Sequence, residues 1–494
     1  MSRSRCIAFA ALLTVGLSGC SPAPVDTPPE VAKIPVTTSS AKARELFWEG
    51  RELAERIRPV EARDHFLKAV DKDPQFALAY LYLANTAISA KEFFGSMKKA
   101  AFLASEVSEG ERHWILGQDA GSRGDPAAQL DHYTALLELY PEDERAHNVL
   151  ANYYFARQEY EQAIKHFQHA TEINSDFSPA YNSLGYASRS AGKIEQAEEA
   201  FKKYIELIPD EANPYDSYAE LLMKVGRFDE SIENYGKALE KDPQFVFSYV
   251  GIGNNQMFKG EYDVARSTFA ELLSKARNNG ERRTAHRWTA VSHAFEGNLD
   301  LAVASVEQMS AIAQADEDHA ALAGDAGFLG NLFLYSGSGA QALDSYRRGL
   351  ELMEKADVND DVKETARRNF LYHEARAAIV SGDLATAAAK SKEYGSAVAT
   401  RGVSNEMLRA KELLGRLALA RGRAQAATEH FQQANQQDPM VLLMSARAYQ
   451  AAGKLDRARA MAAEAANFNQ LAPSFAYVQK PAQTLLLELG ADGV

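Results

Sequence analysis

Cysteine is nearly absent from this chain of 494 residues, which contains only Cys6 and Cys20. Paired Cys-x-x-Cys motifs of the kind that bind zinc or shuttle electrons are therefore excluded. Cys6 lies at the start of an apolar run that follows two early arginines and ends at Leu17. A basic start followed by a short apolar core is typical of a secretory signal that is removed. We therefore expect the mature chain to keep Cys20 alone, with no intramolecular disulfide.

Long apolar runs are missing from the rest of the chain. A transmembrane helix requires about 18 or more apolar residues in sequence, and none is present beyond the signal. Positive charge is also in deficit, because the net charge is −13 and becomes −15 when Arg3 and Arg5 leave with the signal. An acidic chain disfavours nucleic acid, or an anionic lipid face, as the main partner.

The familiar motifs of catalysis are missing as well. There is no Walker loop, no His-Glu-x-x-His and no Gly-x-Ser-x-Gly. A segment that begins like a calcium loop at Asp357 has Val362 in place of the turn glycine and Arg368 in place of the bidentate glutamate. His166 and His169 share a helix face, but the sequence offers no third ligand, and we interpret them as packing residues. We therefore expect no catalytic residue, metal site or cofactor, and a protein that is not an enzyme.

One pattern of about 34 residues is present in abundance. Its clearest copy starts at Ser178 and contains Leu184-Gly185, Phe201 and Pro209. The same register is kept without slippage in the units that start at Glu144, Ser178, Ala212 and Val246. Upstream units start at Ala43, Ala77 and Gly110, and the Ala77 unit loses the pattern in its second half.

Each unit is predicted to form two amphipathic helices, because apolar residues recur at helical spacing on both sides of a glycine-containing turn. Small residues such as Gly185 and Ala197 allow the two helices to approach closely. Phe201 fills the space between them, and Pro209 cannot continue a helix. The pattern resembles the tetratricopeptide repeat. The resemblance implies an all-α, right-handed solenoid.

The units lengthen and become less regular beyond Lys275, and the pattern returns clearly around Leu414-Gly415. We predict about twelve helix pairs in all. The expected organisation is a signal peptide (1–19), a lipidated cysteine and proline-rich tether (20–42), a regular array (43–275), a divergent array (276–468) and a C-terminal cap (469–494).

The segment Leu17-Ser18-Gly19-Cys20 resembles the bacterial lipoprotein box, which implies that Cys20 carries the lipid and becomes the mature N-terminus. The alternative is an ordinary signal peptide with an incidental cysteine. By resemblance to Gram-negative lipoprotein sorting, Ser21 rather than Asp after the lipidated cysteine implies the outer membrane, facing the periplasm. We therefore expect a lipid-anchored protein of the bacterial cell envelope.

The resemblance also implies a binding site, because the first helix of each repeat lines a concave groove. Asparagine can donate and accept hydrogen bonds, so several in a groove suit an extended peptide backbone, while aromatic residues supply pockets. The alternative is that these are ordinary exposed positions. The candidate residues are Trp114, Arg145, Asn148, Asn152, Phe155, Asn182, Tyr186, Arg189, Glu220, Asn254 and Phe258.

Anchor, tether and groove together predict a scaffold or adaptor that binds an envelope protein or peptide. The competing hypothesis is an enzyme or small-ligand receptor whose site lies in the divergent half, from Glu281 to Gln470. There the basic pair Arg282 and Arg283 and the acidic run Asp316–Asp318 would shape a pocket.

Overall fold

The computed structural model describes residues 33–400 and 404–490. Within these ranges the chain forms 25 α-helices and two short 3₁₀ helices, and no strand. The predicted signal, Cys20 with its lipid and most of the predicted tether lie outside the described residues. Among the helices that are described, none combines the length and apolarity needed to cross a membrane.

The first 24 helices form twelve consecutive pairs, which we number as repeats 1 to 12. This confirms the predicted all-α solenoid of about twelve helix pairs. The pairs are α1 (Ala41–Glu55) with α2 (Pro59–Lys72), α3 (Ala77–Asn85) with α4 (Ala90–Leu103), α5 (Glu109–Ser122) with α6 (Pro126–Leu139), α7 (Glu144–Ala156) with α8 (Tyr160–Ile173), α9 (Ser178–Ser190) with α10 (Ile194–Leu207), α11 (Ala212–Lys224) with α12 (Phe228–Lys241), α13 (Val246–Phe258) with α14 (Tyr262–Lys275), α15 (Asn279–Glu296) with α16 (Leu299–Ala315), α17 (His319–Tyr335) with α18 (Gly339–Lys355), α19 (Asp360–Val380) with α20 (Leu384–Ala399), α21 (Ser404–Ala420) with α22 (Ala424–Phe431), and α23 (Pro439–Ala451) with α24 (Leu455–Ala466).

Within a repeat, the two helices meet where a glycine on the first faces an aromatic ring on the second. A Cβ atom at Gly185 would lie 2.5 Å from Cε1 of Phe201, which is closer than real contacts allow. The predicted role of small residues in close helix approach is therefore confirmed. The same contact recurs between Gly50 and Phe66, Gly117 and Tyr133, Gly253 and Phe269, Gly330 and Tyr346, and Gly415 and Phe431.

The turn inside most repeats passes through a left-handed residue that is usually glycine. Gly192 and Gly226 have φ angles of 77° and 80°, which glycine adopts without a Cβ penalty. In repeat 4 the equivalent residue is Gln158, with φ 63°. A residue other than glycine in this region stores backbone strain and is found where other contacts hold it in place.

The divergent units are longer because their helices are longer. Helix α19 has 21 residues and α15 has 18, whereas α7 and α9 have 13 each. The two-helix plan is kept, and the additional turns move the sequence out of the regular register.

The solenoid coils tightly enough for early and late repeats to touch. Helix α4 of repeat 2 contacts α17 of repeat 9. Arg56 at the end of α1 pairs with Glu211 before α11 at 3.6 Å, and Gln158 donates to Asn435 at 3.1 Å. The space inside the coil is therefore narrow.

The chain after repeat 12 turns back into this space. Residues 467–478, which we call the C-terminal segment, include a 3₁₀ helix (Pro473–Tyr477) that contacts α15 and α23. Phe475 is fully buried and packs against Phe258 and Phe295, with ring centroids 5.2 and 6.0 Å away. The last helix, α25 (Gln479–Glu488), packs on α24.

Candidate binding surface

The eleven predicted groove residues all lie on first helices of repeats 3 to 7. Their surroundings divide this surface into three stretches. One is bordered by residues 33–38, one carries free asparagine oxygens, and one is filled by the C-terminal segment.

Residues 33–38 have no helix or strand and lie along the N-terminal ends of α3, α5 and α7. The backbone N–H of Thr37 donates to Glu111 Oε1 at 2.8 Å, and that of Ile34 donates to Asp143 Oδ2 at 2.9 Å. Lys33 pairs with Glu144 at 2.5 Å. This part of the region predicted as tether, from Lys33 onward, is therefore bound to the repeats.

Trp114 and Arg145 lie next to residues 33–36, around a pocket of about 340 Å³. Trp114 is buried and packs edge-on against Tyr82, with ring centroids 6.0 Å apart. Arg145 donates to Glu55 of repeat 1 at 2.8 Å and to Glu144 at 2.7 Å. Both side chains are held by contacts within the chain.

Three asparagines on α7 and α9, Asn148, Asn152 and Asn182, form what we call the asparagine row. Asn152 is exposed. The Oδ1 atoms of Asn148 and Asn182 are buried and accept no hydrogen bond from any described residue. Buried amide oxygens are usually satisfied, so these two acceptors require an explanation. Phe155, on the same helix, packs against Tyr160, with ring centroids 5.7 Å apart.

Tyr186, Arg189 and Glu220 are brought together into one network next to the asparagine row. Arg189 Nη1 donates to Glu220 Oε1 at 2.7 Å, and the Tyr186 hydroxyl donates to Glu220 Oε2 at 3.0 Å. Arg189 also lies 4.9 Å from the centre of the Tyr186 ring. Burial, and then the charge of Glu220, raise the pKa of Tyr186 well above its usual value. The network is satisfied internally and makes this part of the surface rigid.

Asp216 lies beneath this network on α11 and is almost fully buried. Its Oδ1 accepts a hydrogen bond from Ser248 at 2.8 Å. Burial raises the pKa of Asp216 to about 8, so the carboxyl is largely protonated at neutral pH.

Asn254 and Phe258 on α13 belong to the stretch next to the C-terminal segment. Asn254 is 1% exposed and donates to the carbonyl of Val250 at 2.8 Å. Phe258 is covered by Phe475. As the chain stands, neither residue offers an open surface to a partner.

The histidines that we considered as metal ligands pack against a third one. Nδ1 of His166 lies 3.2 Å from Nδ1 of His147, and the rings of His147 and His169 have centroids 4.5 Å apart. Burial, then His147, lower the pKa of His166 to about 4. Among the residues that the structure describes, no group of three or more His, Cys, Asp or Glu side chains has the geometry to hold a metal.

A polar cavity of about 530 Å³ lies between repeats 9 to 12 and the C-terminal segment. No sequence motif pointed to it, although it falls within the half in which we considered a small-ligand site. Its walls include Asn331, Tyr335, Asn369, Tyr372, His373, Arg376, Arg409, Glu412, Asp438 and Tyr477.

The charged residues that we singled out in the divergent half lie elsewhere. Arg283 pairs with the buried Asp325 at 2.7 Å, and Asp316 accepts from Asn279 at 2.8 Å. Arg283 and Asp316–Asp318 line a separate cleft of about 930 Å³, between the start of α4 and repeats 8 to 10.

The fold is that of an all-α solenoid of helix pairs similar to tetratricopeptide repeats. Models of the TPR repeat match residues 151–188, and models of the tetratricopeptide repeat match residues 178–211, 212–245 and 250–318. These matches support a protein–protein interaction scaffold. No curated protein matches the chain.

Several solved structures of repeat proteins are similar in part. The MamA protein is 23% identical over 34% of this chain and 91% of its own, with a TM-score of 0.29. A tetratricopeptide repeat protein from Parabacteroides merdae is 15% identical over 55% of this chain and 94% of its own, with a TM-score of 0.35. The Cut9–Hcn1 hetero-tetramer of APC/C is 16% identical over 90% of this chain and 76% of the other, with a TM-score of 0.42.

Proposed function

We propose that this protein is a lipid-anchored scaffold of the bacterial cell envelope that binds an extended segment of a partner protein through the asparagine row of repeats 4 and 5. The observation that carries the proposal is the pair of buried, unpartnered oxygens of Asn148 and Asn182. A buried acceptor without a donor is destabilising. Both side chains are partly exposed, so in the proposed complex they reorient and accept from backbone N–H groups of the extended partner chain.

The position of the asparagine row within the surface supports this assignment. The stretch of the surface on the N-terminal side of the row is bordered by residues 33–38. The stretch on the C-terminal side is filled by Phe475 and its neighbours. The row lies between them, on first helices, and Asn152 is exposed. The rigid Tyr186–Arg189–Glu220 network beside it reduces the conformational entropy that binding would otherwise remove.

The envelope location rests on the resemblance of residues 17–20 to a lipoprotein box. One acyl chain holds a protein at a membrane only marginally, whereas two or more hold it stably. Thirteen residue steps separate Cys20 from the docked Lys33 and span at most about 45 Å when fully extended. The repeats would therefore operate close to the membrane surface.

The groove assignment is tested by replacing Asn148, Asn152 and Asn182 together with alanine in the full-length chain. Tyr186 is left intact, because removing its hydroxyl would disturb the buried bond to Glu220. We expect cross-linking in native membranes to lose its specific partner, while circular dichroism and the melting temperature stay close to wild type. An unchanged set of cross-linked proteins contradicts the assignment.

A matched control replaces Asn234 on the second helix α12 with alanine. Its amide donates only to the Glu230 carbonyl on its own helix, so partner capture should persist. The anchor is tested separately by mass spectrometry of the mature N-terminus, where an unmodified Cys20 or cleavage elsewhere excludes it.

A further inference from the structure

Arg376, near the C-terminal end of α19, is a buried guanidinium that makes no ion pair with any described residue. It is 5% exposed. Its Nη1 donates to Asn331 Oδ1 at 3.3 Å and its Nη2 to the Tyr335 hydroxyl at 2.7 Å, while its Nε has no partner. Buried charges are normally paired, because taking a charge out of water is expensive. Arg376 therefore lacks a direct anionic partner among the described residues.

The carboxylates near Arg376 are engaged elsewhere. Glu412 accepts from Arg416 at 2.6 Å and from the Tyr372 hydroxyl at 2.9 Å. Asp438 caps α23 by accepting from the backbone N–H of Met440 at 2.8 Å. No carboxylate among the described residues forms an ion pair with Arg376, although the charge of Glu412 lies near enough to act on it.

Two further polar atoms in the same cavity are buried and unpartnered. They are the Tyr477 hydroxyl and His373 Nδ1. Burial, then the positive charges of Arg376 and Arg409, hold the pKa of His373 well below its usual range. His373 is therefore neutral, and Nδ1 donates in one of its two tautomers. Together with Arg376 Nε, the residues that line the cavity carry three unpartnered polar atoms that are able to donate.

The wall of the cavity includes residues with no counterpart in regular repeats. Gln158 has the left-handed backbone that repeats 5 and 6 give to Gly192 and Gly226, and it lines the cavity while donating to Asn435. Tyr477, another residue of the wall, stacks on Tyr335 with ring centroids 4.5 Å apart. The C-terminal segment forms one wall of the cavity, and the limited volume of the cavity favours a small molecule over a long peptide.

We propose that this cavity binds a small organic acid, whose carboxylate or phosphate pairs with Arg376 and accepts from Tyr477 and His373. A volume of about 530 Å³ lies within the range of small-molecule sites, roughly 300–1,000 Å³. Exposed Arg409, together with Asn369, is placed to bind further polar groups of the ligand. Because Tyr477 belongs to the C-terminal segment, the bound acid holds that segment on the repeats.

The test is thermal unfolding of the full-length protein at constant ionic strength with two kinds of probe. One arm uses inorganic phosphate and glucose 6-phosphate, and the other uses succinate and citrate, each up to about 10 mM. We expect at least one arm to raise the melting temperature by about 2 °C or more. The responding arm identifies phosphate or carboxylate, and no response in either arm overturns the proposal.

Substitutions of arginine separate a ligand site from a structural role. In the wild-type protein without a bound anion, Arg376 is a buried charge without an ion pair. Arg376→Gln should therefore leave the melting temperature unchanged or raise it. The same substitution should weaken anion binding about tenfold or more. Arg416→Gln is the matched contrast, because it leaves Glu412 unpaired and should lower the melting temperature. If Arg376→Gln is as destabilising as Arg416→Gln, or still responds fully to the anion, the proposal fails.

Tyr477→Phe provides a second variant that removes only an unpartnered hydroxyl. It should fold with wild-type stability and respond less to the anion. Arg367→Gln, which affects an exposed pair, and the alanine variant of the asparagine row should both retain the full response. A failure of partner binding is thereby distinguished from a failure of this site.

Discussion

Lys224 Nζ lies 3.8 Å from the centre of the Phe468 ring and donates a hydrogen bond to the Phe468 carbonyl oxygen. Lys224 ends a first helix in repeat 6, whereas Phe468 lies near the start of the C-terminal segment. Burial, then the nearby Arg189, lower the pKa of Lys224 to about 8. A lysine at the end of a first helix is thus covered by the protein's own chain.

The first prediction concerns Phe475, the buried centre of the C-terminal segment. Replacing it with alanine removes a ring that packs on Phe258 and Phe295 and leaves a cavity. We expect the free energy of unfolding to fall by about 3–5 kcal/mol, measured by denaturant titration. Leu487→Ala in α25 is the control, since Leu487 is 63% exposed. Equal effects of the two substitutions would mean that the segment is not packed as described.

The second prediction compares two glycines inside helices. Gly185→Ala places a methyl group against Phe201 and should destabilise the protein by about 1–3 kcal/mol. Gly236→Ala in α12 meets no atom within 4 Å, and should stabilise it by about 0.5–1 kcal/mol because alanine favours the helix. Opposite signs in thermal or chemical unfolding support the helix contact, and the same sign for both contradicts it.

Such glycine–aromatic contacts are the part of the structure that the sequence predicts best. Gly185, Phe201 and Pro209 recur at fixed spacing, and each acts within its own repeat, so a periodic pattern is enough to place it. The longer helices of repeats 8 to 10 keep the same plan. Their additional turns explain why the period is harder to follow there.

The segments of the chain that lie against the groove could not be predicted from a repeating sequence pattern. Phe475 and Lys33 belong to segments without a repeating pattern, and their partners lie far away along the chain. The cavity around Arg376 likewise combines side chains from four repeats and the C-terminal segment. Only the coiling of the solenoid brings these residues together, and no local pattern records it.

The third prediction concerns the buried ion pair of Arg189 and Glu220. Arg189→Met leaves the Glu220 carboxylate desolvated without a partner and should destabilise the protein by about 3 kcal/mol. The double variant Arg189→Met/Glu220→Leu removes both charges and should be more stable than the single variant. A double-mutant cycle by urea unfolding measures the difference. Additive losses would show that the two residues are not coupled.

The fourth prediction concerns pH and Asp216. Its pKa is raised from 3.8 to about 8. At pH values between these two, the folded state keeps a proton on Asp216 that the unfolded state has released. The contribution of Asp216 to stability therefore decreases as pH rises from about 4 to about 8.

Asp216→Asn removes this titration while keeping an acceptor for Ser248. The stability of the variant relative to wild type should increase over the same pH range, reaching a gain on the order of 1 kcal/mol or more near pH 8. Paired unfolding curves at pH 5 and pH 8 provide the measurement. A difference independent of pH would show that the carboxyl is not protonated in the folded protein.

Contact between α4 and α17 has a consequence for how the molecule comes apart. An open solenoid behaves as a one-dimensional chain of neighbours, from which terminal repeats can be lost one at a time. Here repeat 2 touches repeat 9, and repeat 4 is bonded to the loop before repeat 12. Loss of either end therefore removes support from the middle, and the array should melt as one cooperative unit.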